Sequence, residues 1–525
     1  MKHKSILRKL TAALLSCTLC CTSMTVPVFS VDETTELPER FDYREAAPEI
    51  LTPVKNQVGE TCWAYSALSC IESNMIRKGM ADNSVDLSES HLVWFTLGQG
   101  FPTDPEDPRY GGGVKYGSEA YDAGAYITIE QASHASWQGA VAESDAAPIS
   151  ELPVLNESLR YQSVAHVQNM PYYTYPNRSR EFTKQLLLDK GPLRITYFQS
   201  SLHNLSKNSG YYNPDYLTEM KAGLEKGKDH CVQMVGWDDH YAKENFMKEP
   251  PEDGAWIIRN SWGDYANSED GYFYLSYYES TISLITYFDC EPVTNYGSNY
   301  SYSCTHISAW PAHSLKHGYY SANVFEAQKD EKIEAVGFHT IRNFFDPAQY
   351  EISVWLLDPE PEGPQDGMVV SQFTETLEFS GYYTLKLPES IAVKKGQKYS
   401  VVMKTPLGTQ CFFDKASYKE GVSYYAYYTE DEGEPTDWTD CFGTEYGDVC
   451  IHVYTEYEGE TEDCIRGDLN RDCKVNAVDL SLLKQVLLGS ERTDIDRKAA
   501  DWNGDNAMNA EDVNGMLEFL LQKEA

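Results

Sequence analysis

Pro53-Val54-Lys55-Asn56-Gln57-Val58-Gly59-Glu60-Thr61-Cys62-Trp63-Ala64-Tyr65-Ser66-Ala67 is the stretch on which the fold turns. It leads from a loop into a segment of helical character that continues from Ser66 to Lys78, and so places Cys62 where loop meets helix. A helix N-terminus carries unpaired N–H groups and partial positive charge. That environment lowers a thiol pKa and favours the nucleophilic thiolate. Gln57 offers a side-chain amide to an oxyanion, and the Cys62 backbone N–H offers a second donor. A lone cysteine is more often a small buried hydrophobe, which is the reading for Cys70 and Cys290. Cys62 therefore needs partners elsewhere in the chain.

Two later segments supply them. Lys228-Asp229-His230-Cys231-Val232-Gln233-Met234-Val235-Gly236-Trp237 opens a β-favouring apolar run with a histidine. Trp256-Ile257-Ile258-Arg259-Asn260-Ser261-Trp262-Gly263 ends a strand with an asparagine. The Asn260 side-chain oxygen can accept from His230 and fix its ring, and Trp262 can shield that bond from water. Nucleophile, base and orienter together make the general triad logic.

On these motifs the segment from Leu37 to about Phe288 resembles the papain family of cysteine peptidases. The resemblance implies an α+β two-lobed domain, one lobe helical and one β-barrel-like, with the cleft between them. Cys62 would attack the peptide carbonyl, His230 would protonate the leaving amine, Asn260 would orient His230, and Gln57 would bind the oxyanion. Asp229 and Trp262 are supporting residues. Leu87-Ser88-Glu89-Ser90-His91-Leu92 and Gly111-Gly112-Gly113 also resemble family landmarks. The latter make Gly112 and Gly113 candidates for pairing with the substrate backbone, although glycines also serve plain turns. The family's cysteine three residues before the nucleophile is here Gly59. Only about seven residues separate the expected signal cleavage site from Leu37, too few for the family's usual inhibitory prosegment.

The N-terminus reads as a secretion signal, residues 1–30. Lys2, Lys4, Arg8 and Lys9 precede an uncharged stretch from Leu10 to Phe29, and Val28 and Ser30 suit the small-residue rule for cleavage. Leu14-Leu15-Ser16-Cys17 resembles a lipobox, a rival with a shorter apolar run. Thirteen cysteines, three of them in the signal, permit disulfides in an exported chain without showing which pair. No later segment is long and apolar enough to span a bilayer.

The 525 residues suggest roughly three or four units. Residues 31–292 form the peptidase-like unit. Residues 293–455 carry short strands between Gly, Pro and Asp turns, such as Glu334 to Thr340, Tyr350 to Leu357, Tyr382 to Leu387, Lys398 to Lys404 and Ile451 to Tyr454. They predict an all-β sandwich or jelly roll. Gly381-Tyr382-Tyr383-Thr384-Leu385 and Lys395-Gly396-Gln397-Lys398-Tyr399 resemble the lectin-like β-domains that follow papain-like domains in some bacterial proteins. A carbohydrate ligand is one expectation there; tyrosines that merely pack the sandwich are the other. Residues 456–463 form an acidic linker.

Residues 464–525 contain a duplication. Asp468, Asn470, Asp472, Asn476 and Asp479 occupy positions 1, 3, 5, 9 and 12 of one loop. Asp501, Asn503, Asp505, Asn509 and Asp512 repeat them 33 residues on. Ca²⁺ takes six to eight oxygen ligands of this type. Each loop precedes an apolar helix, Leu480 to Leu488 and Val513 to Leu521. The pattern resembles a dockerin, a small α-helical calcium-binding module that plugs enzymes into cohesin-bearing scaffolds of cellulosome-type complexes. Position 6, usually Gly, is Cys473 and Asn506. Cys tolerates the left-handed region poorly, which predicts weaker calcium at the first loop unless Cys473 pairs with Cys464. Ala477-Val478 and Ala510-Glu511 resemble cohesin-contacting positions and differ between the halves.

Net charge is −37, from 80 acidic and 43 basic side chains. Such a balance repels phosphates and argues against nucleic acid and anionic membranes as partners; solubility is the plainer reading of it. The expectation is a secreted papain-like endopeptidase with no catalytic cofactor, held on a cell-surface complex by its dockerin. A transglutaminase-type acyltransferase would prefer Asp where Asn260 stands. The alternative outside enzymes is a scaffold-docked binding protein with an inactive peptidase fold.

Overall fold

The computed structural model describes residues 37–525 apart from 176–177, 306, 310–316, 341–346, 408, 410–411, 415–418, 430–436, 445–446, 457–465, 470–474, 489–494, 496–498, 504–507 and 524–525. The expected signal and most of the acidic linker lie outside the described residues. Among the described residues no helix is long and apolar enough to cross a membrane.

The loop-to-helix reading holds: α1 spans Cys62–Arg77 and begins at Cys62 itself. Every residue from Cys62 to Ser73 is buried, so this is a central helix rather than an amphipathic surface one. Around it pack α2 (Glu89–Val93) and α3 (Ile127–Ala135), which with Trp94, Phe95 and Leu97 make the helical lobe's core. The second lobe is built from β1 (Arg40–Asp42), β2 (His166–Thr174), α4 (Arg180–Lys190), β3 (Leu193–Ser200), β4 (Gly227–Asp238), β5 (Ala255–Arg259), β6 (Tyr272–Ser276) and β7 (Leu284–Thr286). β2, β7, β3, β4, β5 and β6 are neighbours in that order, all antiparallel, and β1 pairs with β4. The long segment between Trp137 and Asp215, which carries no motif, supplies β2, α4 and β3.

The all-β expectation also holds. The strands are β8 (Ser298–Ser301), β9 (His317–Glu326), β10 (Glu331–Thr340), β11 (Ala348–Leu357), β12 (Gly367–Leu377), β13 (Ser380–Val393), β14 (Lys398–Lys404), β15 (Ser423–Thr429), β16 (Thr439–Asp440) and β17 (Ile451–Thr455). One sheet runs β8-β17-β10-β13 and the other β12-β11-β14-β9-β15-β16. Alternation sends Tyr350, Ile352 and Val354 of β11 into the core between them. Tyr319, Tyr350 and Tyr399 are fully buried there, so many of the tyrosines pack the sandwich.

The sequence does not announce that this first sheet continues into the peptidase. β13 pairs with β2, Ser380 opposite Tyr172 and Tyr382 opposite Met170. Gly381 permits the join: at φ +139 a side chain would press on the Met170 carbonyl and Pro171. Tyr454 donates to the Ala135 carbonyl at 3.2 Å and Asn299 to the same oxygen at 2.7 Å. The β-domain is thus bonded to the helical lobe as well.

In the C-terminal segment α5 spans Ala477–Leu487 and α6 Ala510–Lys523, each starting three residues before its apolar run. Asn476 caps α5 through the Val478 N–H, and Asp479 returns the bond to the Asn476 N–H, a capping box with Asp in the acidic place.

Candidate active site

Helix α1 packs on strand β4, and a buried polar chain fixes the two. Gln233 donates to the Ser69 carbonyl at 2.9 Å. Arg259 donates to Gln233 at 2.9 Å and to Thr52 at 3.3 Å, and Thr52 donates to Glu72 at 2.5 Å. A buried guanidinium is tolerable only with such partners. The chain holds the middle of α1 against the middle of β4, and Cys62 at the head of the helix meets Cys231 on that strand.

The loop before Cys62 is stitched to the Asn260–Gly263 turn. Gln57 N–H donates to the Ser261 carbonyl at 2.6 Å, Gly263 N–H to the Lys55 carbonyl at 2.9 Å, and Ser261 Oγ to Gln57 Oε1 at 2.7 Å. Three motifs far apart in sequence thereby meet.

Within that meeting point His230 is 4 % exposed and lies 2.8 Å, from Nε2, to Asn260 Oδ1. Oδ1 also accepts from the Ser261 N–H at 2.8 Å, so it is the acceptor and His230 Nε2 the donor. The proton on Nε2 leaves Nδ1 as the basic nitrogen. Trp262 stacks on the imidazole at 4.5 Å and 21°, and Tyr197 meets its edge at 5.9 Å. Burial pushes the His230 pKa below its ordinary value, against the Asn260 hydrogen bond. A neutral imidazole able to take a proton is the result.

Cys62 departs from expectation. Its thiol lies in hydrogen-bonding contact with Cys231, the residue after His230, and that contact and then burial raise its pKa rather than lowering it. Cys231 is shifted down, by the same contact first and then by Arg194 and Thr196. Arg194 Nη2 stands 3.5 Å from Cys231 Sγ and Thr196 Oγ1 3.4 Å from it. Two touching thiols do not both ionise readily, and the Arg194 guanidinium beside Cys231 favours the charged form there over Cys62. The helix end at Cys62 is outweighed in this conformation. Arg194 is itself paired with Glu130, whose carboxyl burial lifts to about 7. Cys231 is the neighbour of Cys62 that motif reading overlooked; its signal was a second cysteine beside the candidate base.

The Gln57 amide is also engaged, donating to the Gly59 carbonyl at 2.9 Å instead of facing open space. Asp229 is exposed, opposite Phe198 on β3. Gly113 has a packing reason to be glycine, because a Cβ there would strike the Gly100 carbonyl and Thr305. Gly112 is buried and donates to the Arg109 carbonyl at 3.2 Å.

Of the candidate calcium ligands, Asp468, Asn476, Asp479, Asp501, Asn503, Asn509 and Asp512 are described; Asn470, Asp472 and Asp505 lie outside the described residues, as do Cys464, Cys473 and Asn506. The two halves fold alike. Asp479 accepts from Leu469 N–H at 2.8 Å and Asn476 N–H at 2.9 Å. Asp512 accepts from Asn503 N–H at 3.2 Å and Asn509 N–H at 2.8 Å. Both carboxylates are fully buried. Each closes its loop, and an all-oxygen donor set of this kind suits Ca²⁺.

Comparison with known proteins finds three families along the chain. Residues 37–288 match the model of the papain family cysteine protease, 302–455 that of the lectin like domain, and 466–521 that of the dockerin type I domain. Cathepsin L2 of Homo sapiens is 26 % identical over 232 residues, 43 % of this chain and 58 % of that protein. Cysteine proteinase 2 of Entamoeba histolytica is 28 % identical over 230 residues, 43 % of this chain and 60 % of that protein. The chain therefore spans about three fifths of the length of these relatives. Among solved structures, the cysteine protease and lectin-like domains of Cwp84, a surface layer associated protein of Clostridium difficile, align with a TM-score of 0.59 at 20 % identity, covering 80 % of this chain and 89 % of that one. A second Cwp84 structure, of a variant after propeptide cleavage, aligns at 0.57 and 20 %, covering 79 % and 98 %. The likeness is one of fold, and it extends across peptidase and β-domain together.

Proposed function

For a chain that carries a papain-family cysteine protease domain, a lectin-like domain and a dockerin type I domain, we propose the activity of a secreted cysteine endopeptidase, held at the cell surface by a calcium-loaded dockerin bound to a cohesin. Cys62 Sγ attacks the scissile carbonyl as His230 Nδ1 takes its proton. The tetrahedral oxyanion is bound by the Cys62 N–H and by the Gln57 amide, which turns from the Gly59 carbonyl. His230 then protonates the leaving amine, and water releases the acyl group. Asn260 and Trp262 are positioning residues that hold the ring through this cycle, and Asp229, beside the base, is a supporting residue. Asp468, Asn476, Asp479 and their counterparts in the second loop hold calcium in the dockerin. Gly112 and Gly113 are candidates for the substrate-backbone contact.

The observation that carries this reading is the His230–Asn260 hydrogen bond under Trp262, in a turn stitched to the Gln57 loop. The Gln57 amide engaged by the Gly59 carbonyl, together with the raised Cys62 thiol, favours a second reading, a docked binding protein whose peptidase site is not assembled for chemistry. Labelling with a broad epoxysuccinyl inhibitor, with casein cleavage measured in wild type and Cys62→Ala, separates the two. Labelling confined to Cys62, with cleavage lost in the variant, supports the peptidase. Folded protein that neither labels nor cleaves supports the binding protein.

A further inference from the structure

The outward face of the six-stranded sheet holds a pocket of about 130 Å³. Its composition follows from the strand register. Glu351 on β11 lies opposite Lys404 on β14, which lies opposite Tyr320 on β9. In the next row Gln372 on β12, Ser353, Val402, Ala322 and Tyr424 follow one another across five strands. Ser353, Val402 and Ala322 make a floor, and the larger side chains at the ends of this row and in the flanking rows make walls. A register shift at Val354/Trp355 sets Trp355 opposite Val369 at the far wall.

The walls combine aromatic faces with fixed polar groups. Trp355 donates through Nε1 to Ser353 Oγ at 3.0 Å, which holds its ring. Tyr320 is 4 % exposed and meets Trp438 edge-on at 6.3 Å. Trp438 is in turn anchored to Gln365 at 3.2 Å. Gln372 donates to Glu351 at 2.7 Å, and the Lys404 ammonium lies 5.3 Å from the Tyr320 ring and 5.0 Å from that of Tyr428. Of one carboxylate, one ammonium and two amides the net charge is zero, so the pocket suits a neutral ligand dense in hydroxyls. Its volume is well below the ~300–1,000 Å³ of drug-sized sites and leaves room for one small ring. Aromatic faces accept the apolar C–H face of such a ring, while carboxylate, amide and ammonium take its hydroxyls.

We propose that this pocket binds one neutral hexopyranose unit of a glycan, with Trp355 as the apolar wall, Tyr320 as the buried support beneath Lys404, and Glu351, Lys404 and Gln372 as the hydroxyl partners. The proposal rests on a carbohydrate role for the lectin-like domain and assigns it a place. Glycan and peptide would then engage opposite parts of one chain, since it is the other sheet of the sandwich that joins the peptidase.

The test is saturation-transfer NMR and calorimetric titration of the full chain with the methyl pyranosides of glucose, galactose and N-acetylglucosamine. Wild type is expected to bind at least one. Glu351→Gln is expected to weaken that binding about tenfold, the effect of one charge-assisted hydrogen bond, and Trp355→Ala to abolish it, with casein cleavage unchanged in both. The milder Glu351→Gln keeps the test valid if Trp355→Ala fails to fold. Binding that survives in both folded variants would overturn this pocket while leaving a carbohydrate role intact. No binding of any of the three sugars by folded wild type would overturn both.

Discussion

Replacing Asn260 by Ala removes the acceptor of the His230 Nε2–H bond, 2.8 Å long in a site where the imidazole is 4 % exposed. Leaving a buried donor unpaired costs about 1–3 kcal/mol. The charge on His230 grows in the transition state, so the loss falls on the barrier. At 1.36 kcal/mol per decade, kcat/KM should drop about 5- to 150-fold. Trp262 still stacks on the ring and keeps it near its place, which holds the effect short of complete loss. Asn260 also accepts from the Ser261 N–H, and Ser261 holds Gln57, so a part of the loss can come through the oxyanion side. The assay is steady-state hydrolysis of a fluorogenic peptide amide, with folding of the variant checked by thermal unfolding. The loss should appear in kcat with KM little changed. A folded variant within twofold of wild type, or one whose loss lies entirely in KM, would refute the positioning role.

Cys231→Ala removes the thiol that raises Cys62, so iodoacetamide should alkylate Cys62 faster than in wild type near pH 6; an unchanged or slower rate would count against Cys231 as the cause of the raised thiol. Glu130→Gln takes the carboxylate from buried Arg194, leaving only its contact with Cys231, and should cost about 3 kcal/mol in urea unfolding, whereas a double variant with Arg194→Met should cost less. Burial holds His91 and His166 down to about 4 and His134 and His339 down to about 3. Each stays neutral when folded but takes a proton near pH 6.5 when unfolded, so the unfolded state binds more protons between those values and stability should fall as pH drops from about 6.5 toward 4. Glu89 and Glu130, raised to about 7, and Glu143, Asp229, Glu279 and Glu375, also raised by burial, act in the opposite sense, while His230 and His452, also lowered by burial, add to the imidazole side; the larger shifts are on the imidazoles, which set the direction. Thermal midpoints should accordingly rise from pH 4 to 6.5, less steeply in His339→Phe. Removing calcium with a chelator should expose residues 464–525 to limited proteolysis before the rest of the chain, and re-adding calcium should reverse it.

By itself the sequence determined the order of the units and the chemistry of their residues. Cys62 at a helix start was legible because a loop-to-helix change is a local event over a few residues. So were the β-domain strands, through alternation and turn residues, and the paired acidic loops, through strict spacing. Asn476 and Asp479 even carried their own capping signal, although the apolar run alone started the helix three residues late.

Only the tertiary structure decided what touches what. The Gln57 loop meets Ser261 across more than two hundred residues, and β13 joins β2 so that peptidase and β-domain share a sheet. Neither pairing has a local signature, because an edge strand displays the same free N–H and C=O groups whichever partner covers them. The Cys62 pKa belongs to the same class. A helix terminus is visible in sequence, but a neighbouring thiol under an arginine from another strand is not, and at contact distance in a buried site it outweighs the helix end.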